Sequence, residues 1–217
     1  MGGSILLEVY LFINPLSPKC LSSEKNIINL VHHLSEDVSF QFIPLLNMQI
    51  VSDTMIQLSL NKNDLATRNR QFQLHYNIIL DYKAALFQGK KKGREFLMAL
   101  QDQIMNNTQP YSEELAVSVA NQVGLDLDMF KEDRRSDLAK RAFHADQKLA
   151  AEMKVVHSPS AVIYNYEVSD YGLLLEDVSY EALLDVCEQQ GITVHAPVHS
   201  VPADAGTGKS FPNLRSL

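Results

Sequence analysis

Phe12-Ile13-Asn14-Pro15-Leu16-Ser17-Pro18-Lys19-Cys20 is the stretch whose reading decides the fold. Upstream of it, Ile5 to Ile13 is an apolar run of strand length, suited to a buried central strand. Asn14-Pro15 breaks that run. Ser17 then supplies a helix N-cap, and Pro18 takes the first helical position, where a missing N–H costs nothing. The helix so opened runs to about Leu34, with Ile27, Leu30, Val31 and Leu34 on one face. Cysteines at both ends of such a turn make a dithiol. The first, at the helix mouth, attacks as a thiolate, and the second resolves the mixed disulfide. Here the attacking position is Ser17, whose hydroxyl cannot exchange sulfur, and only Cys20 keeps its thiol. The segment retains a redox scaffold without its dithiol.

Downstream, Val38, Phe40 and Phe42 alternate with Ser39 and Gln41, marking a second strand that ends near Leu46. Strand, helix, strand in that order is a parallel crossover unit. A long helical region intervenes. Asp64 to Phe87 carries Phe72, Tyr76, Ile79, Leu80 and Leu86 at near-helical spacing, and Phe96 to Ile104 marks a shorter helix. Lys90-Lys91-Lys92, between two glycines, reads as a solvated turn. Ser112 and Ser136 cap two further helices, the second patterned as Leu138, Ala142, Ala145, Leu149 and Met153. Strand signals return at Ser160 to Tyr166 and Tyr171 to Leu175, predicting an antiparallel hairpin. Ser179 caps a last helix with Tyr180, Leu183, Leu184 and Cys187 on one face. Residues 193–217 show no periodicity and predict a flexible tail.

Charge is spread unevenly, which says more than its total of −7. No Lys or Arg occurs from Val155 to Gly208, a stretch that holds Glu167, Asp170, Glu176, Asp177, Glu181, Asp185, Glu188 and Asp204. An acidic third repels phosphate backbones, so nucleic acid is not an expected ligand. It suits a basic protein partner, with Glu181, Asp185 and Glu188 as the candidate binding face, or it merely solvates the outer side of a hairpin and helix. The opening apolar run has no Lys or Arg before it and no small-residue cleavage site, and no run reaches membrane-span length. A cytoplasmic protein without membrane contact is the expectation, and two widely separated cysteines suit a reducing compartment.

The order β-α-β, helical insert, β-β-α resembles the α/β thioredoxin fold of the DsbA-like group, which carries a large α-helical insertion. In those terms residues 1–50 and 154–192 make a discontinuous thioredoxin-like domain, and 51–153 make the helical insert. His157-Ser158-Pro159 before the third strand is similar to that group's cis-proline loop, which faces the motif Ser17, Pro18, Lys19, Cys20. Within the group, Phe12 to Cys20 with its helical middle and its later Ser-Pro is most similar to the SpxH (YjbH) adaptor family. The resemblance implies a non-catalytic adaptor that binds the transcription regulator Spx and promotes its degradation by the ClpXP protease. It implies no catalytic residue, no cofactor and no metal. Members of the family begin Asn-Pro-x-Cys-Pro-x-Cys, so Ser17 is a departure that removes one thiol from the motif.

Other readings stay open. Kappa-class glutathione transferases and chromene-carboxylate isomerases also carry Ser-Pro here, where the hydroxyl and the helix N-terminus hold a glutathione thiolate. A DsbA-like thiol oxidoreductase is a third reading, weakened because one sulfur cannot form an intramolecular pair. Cys20 is either an oxidisable thiol or a small buried remnant, and Cys187 reads as core. Ala203 to Ser210 imitates a phosphate-binding loop, but Pro212 and the lack of a following helix exclude it. His195 and His199 flank Pro197 and share no helical face.

Overall fold

The computed structural model describes residues 7–34, 38–169 and 171–194, together with the backbone of 214–216. Strand β1 (Leu7–Ile13), helix α1 (Pro18–His33) and strand β2 (Val38–Pro44) come first. Six helices follow: α2 (Met48–Gln57), α3 (Leu65–Phe87), α4 (Lys90–Met105), α5 (Glu113–Gln122), α6 (Leu127–Asp133) and α7 (Asp137–Glu152). Strands β3 (Ser160–Asn165) and β4 (Leu173–Leu175), helix α8 (Tyr180–Gln189) and strand β5 (Leu214–Ser216) complete the order. The sheet runs β2-β1-β3-β4-β5, so β1 is interior. Strands β3 and β4 are antiparallel with Val162 opposite Leu174, the hairpin expected from the sequence. No helix among the described residues is long and apolar enough to cross a membrane.

The chain forms two compact units. The first holds Met1–Leu11, Ser22–Gln41 and Pro159–Leu217; the second holds Phe12–Leu21 and Phe42–Ser158. The motif segment therefore belongs to the unit with the inserted helices, whereas the sequence reading grouped 1–50 with 154–192. In the first unit Leu7, Val9 and Leu11 on β1 are buried, as are Ile27 and Leu30 on α1 and Leu183, Val186 and Cys187 on α8. Each such side chain contributes about 1.5–3 kcal/mol when removed from water. The amide of Asn26 donates to the carbonyl of Val178, fixing α1 to the segment that leads into α8.

In the second unit α3 is the hub, buried almost all round from His75 to Ala85. One core on it gathers Ile78, Ala84, Phe96, Leu100 and Phe130; another gathers Val51, Met55, Ile79 and Phe143. Side-chain caps start the helices. Asn47 Oδ1 accepts from Ile50 N (2.9 Å), Ser112 Oγ from Leu115 N (3.1 Å), and Ser136 Oγ from Ala139 N (3.2 Å). Each is worth about 1 kcal/mol. Two expectations need correction. The Lys90-Lys91-Lys92 run is the exposed first turn of α4, not a loop. Its charges oppose the helix dipole, but burial of Gly93, Phe96, Leu97 and Leu100 outweighs that. The buried face of α7 is Ala139, Phe143, Asp146 and Ala150, while Leu138 is exposed. Within the predicted tail, Leu214–Ser216 pairs antiparallel with β4, Arg215 standing opposite Leu174. The phosphate-loop imitation at 203–210, His195 and His199 lie outside the described residues.

Candidate functional site

Strand β1 ends inside the second unit, and the turn after it is locked by its own polar groups. The Asn14 side-chain oxygen accepts from Leu16 N (2.9 Å), and the Asn14 carbonyl accepts from Ser17 N (3.1 Å). Ser17 then caps α1 as expected: its carbonyl accepts from Leu21 N (3.1 Å) and its hydroxyl from Cys20 N at a long 3.5 Å. Pro18 and Lys19 are exposed on the first turn. Cys20 is fully enclosed, and its sulfur accepts from Asn14 N at 3.2 Å. Cys187 is buried as well, and neither cysteine is in a disulfide.

Ser17, Pro18 and Lys19 open onto a cleft of about 540 Å³. Its opposite wall is α2, through Ile50, Asp53, Ile56 and Gln57, and Ser158 closes one side. The loop carrying Ser158 is tied to α2 because Asn47 Nδ2 donates to the Val156 carbonyl (3.0 Å). Ser158 and Ser17 thus line the same cleft. Pro159, half-buried, is the next residue and opens the first unit. His157 is exposed. Glu181, Asp185 and Glu188 lie elsewhere, exposed together along the outer side of α8.

A buried polar relay beneath the cleft was not read from the sequence. Asn14 Nδ2 donates to Thr54 Oγ1 (3.1 Å); Thr54 Oγ1 lies 3.2 Å from His75 Nε2; and His75 Nδ1 lies 2.7 Å from the Gln71 carbonyl. A carbonyl only accepts, so Nδ1 carries the proton, and the one Thr54 hydroxyl proton faces both His75 Nε2 and the Ile50 carbonyl (3.1 Å). Burial lowers the His75 pKa and keeps the ring neutral. The relay fixes Asn14, and through it the turn that presents Ser17. Its sequence signal is faint: Thr54 and His75 are single polar residues within otherwise apolar helix faces.

A second polar group holds the helices together. Arg134 pairs with Asp81 (2.6 Å) and with Glu113 (2.8 Å), and Tyr111 donates to Asp81 (2.7 Å). Burial pushes the Asp81 carboxyl upward, and the Arg134 guanidinium and Tyr111 hydroxyl hold it back. Arg134 and Arg135 border a smaller cleft of about 380 Å³, but Glu113 pairs with both of them, so they are already neutralised.

A family model described as thioredoxin matches residues 10–186. The chain belongs to the thioredoxin family. It is 28% identical over 170 residues to the ClpXP adapter protein SpxH of Staphylococcus saprophyticus, covering 78% of this chain and 60% of that protein. It is 26% identical to the ClpXP adapter protein SpxH of Bacillus subtilis, covering 82% and 68%. The chain therefore spans about two thirds or less of these two curated relatives. Among solved structures, the thiol-disulfide exchange protein alpha-DsbA2 of Wolbachia pipientis superposes with a TM-score of 0.59 at 14% identity, covering 87% of this chain and 84% of that one. That likeness shows the fold: this thioredoxin-family chain is DsbA-like, α/β, with a helical insertion.

Proposed function

We propose that this chain is a non-catalytic, cytoplasmic adaptor that binds Spx and promotes its degradation by ClpXP. The observation that carries the reading is a serine at the attacking position of a site whose remaining sulfur is wholly enclosed. Similarity to proteins named as ClpXP adapters supports it. An adaptor needs no nucleophile. It must bind its client and favour the client conformation that exposes the degradation tag. The exposed carboxylates of Glu181, Asp185 and Glu188 form part of the client-binding surface in this proposal, with Ser17, Pro18, Lys19, Cys20, Ser158 and Pro159 as the remnant redox site.

The test is reconstituted ClpXP degrading purified Spx with and without the chain. Faster loss of Spx is expected, and its reduction on reversing all three α8 carboxylates to Lys would locate the client. No acceleration, under conditions where a full-length relative accelerates degradation, would sink the adaptor reading. One observation favours a second reading: the Ser17 hydroxyl borders a cleft within the size range of small-molecule sites. Calorimetric binding of glutathione, lost on Ser17→Ala, would favour a transferase or isomerase.

A further inference from the structure

Glu8 on β1 is a half-buried carboxylate set among three tyrosine rings of the first unit. Tyr164 is the central ring. Tyr10 meets it edge-on at 6.1 Å and 87°, and Tyr166 lies nearly parallel to it at 6.0 Å and 13°. The Tyr166 hydroxyl donates to Glu8 Oε2 at 2.7 Å. Gly172 sets the position of the central ring, because a Cβ there would lie 2.7 Å from Tyr164 Cζ. Tyr166 is 53% exposed, so its outer ring face is open to solvent, and Glu167 and Val168 beside it are exposed too.

Among the described residues, no lysine or arginine pairs with Glu8. The stretch that supplies Tyr164 and Tyr166 has no cation from Val155 to Gly208. An ionised carboxylate offers about four acceptor sites, and tyrosine hydroxyls use only some of them. The negative field at this spot is felt by its neighbours. Burial and then Glu8 push the Tyr10 phenol up to about 12, and the hydrogen bond to Glu8 pushes Tyr166 to about 12. Among the described residues, a cation is the partner this carboxylate lacks. A guanidinium fits better than an ammonium, because its plane stacks on an aromatic face while its N–H fork meets a carboxylate.

We infer that Glu8, with Tyr10, Tyr164 and Tyr166, forms a recognition site for an arginine side chain presented by a protein partner. The partner's arginine stacks on the open face of Tyr166 and donates to Glu8, and the acidic surroundings draw in basic neighbours on the same segment. The assignment does not depend on which protein the chain serves.

NMR titration of the intact chain with a capped Gly-Ser-Arg-Ser-Gly peptide, and with its neutral citrulline twin, tests this directly. The arginine peptide is expected to move the ring signals of Tyr164 and Tyr166 in a saturating, salt-weakened titration, and the citrulline peptide several-fold less. Glu8→Gln keeps an acceptor for Tyr166 yet should weaken the arginine peptide about tenfold, the worth of one charge-assisted contact. Tyr166→Leu should weaken it as well, with an unchanged amide spectrum elsewhere. Equal response to citrulline, or undiminished binding in Glu8→Gln or Tyr166→Leu, would overturn the assignment.

Discussion

Cys20 illustrates how one residue loses its chemistry while keeping its place. It has no exposed surface, and an N–H from Asn14 reaches its sulfur. A thiol acts as a nucleophile only through an accessible thiolate. Native protein is therefore expected to show no fast labelling by a thiol reagent, with both Cys20 and Cys187 labelled once guanidinium unfolds it. Rapid native labelling of Cys20 would show that the turn opens. Ser17→Cys should restore the missing half of the pair and give measurable insulin reduction, absent in the parent chain. Ser17→Ala should cost about 0.5 kcal/mol in urea unfolding, the low end for an N-cap, because the capping contact is 3.5 Å long.

Between elements, Gly93 of α4 packs tightly against Leu86 of α3. A Cβ there would lie 2.6 Å from Leu86 Cδ2 and 2.9 Å from Leu86 Cα, and the second atom is backbone that cannot swing aside. Alanine normally gains about 1 kcal/mol over glycine in a helix. Here overpacking of about 1–3 kcal/mol opposes that gain, so Gly93→Ala is expected to lower the urea midpoint, and a raised midpoint would contradict the packing. The relay joining β1, α2 and α3 behaves in the same way. Thr54→Val leaves the Asn14 amide and His75 Nε2 without the hydroxyl between them. Unfolding free energy should fall by about 2–3 kcal/mol.

At the scale of the whole molecule, two buried groups give stability opposite pH dependences. Asp146, paired with Lys83 but desolvated, has its pKa pushed up to about 6. As pH falls, the folded chain takes up this proton before the unfolded chain does, so the group adds stability between about pH 6 and pH 4. His75 is depressed below its ordinary value. Its contribution is full above about pH 6.5 and is lost as pH falls, because the unfolded chain takes the proton first. Comparing parent and Asp146→Asn by urea unfolding from pH 7 to pH 4 separates the two. The parent should gain on the order of 2–3 kcal/mol relative to the variant as pH falls through 6. A difference independent of pH would mean that Lys83 holds Asp146 ionised throughout.

The sequence by itself determined the element order, the serine-for-cysteine exchange and most helix starts. Caps, strand alternation and the Ser-x-x-Cys turn are local signals that one stretch of chain carries alone. It did not reveal α2, the helical character of Lys90-Lys91-Lys92 or the buried face of α7. Of the site, Ser17, Pro18, Lys19, Cys20 and Ser158 were legible as motifs, while Asn14, Thr54 and His75 were not. Those depend on partners distant in sequence: Asp146 can be buried because Lys83 meets it, and His75 because Thr54 does. Periodicity counts a charged or polar residue as exposed. Only the tertiary structure decides whether a partner satisfies it, since the cost of desolvation is offset by contacts that the chain makes after folding.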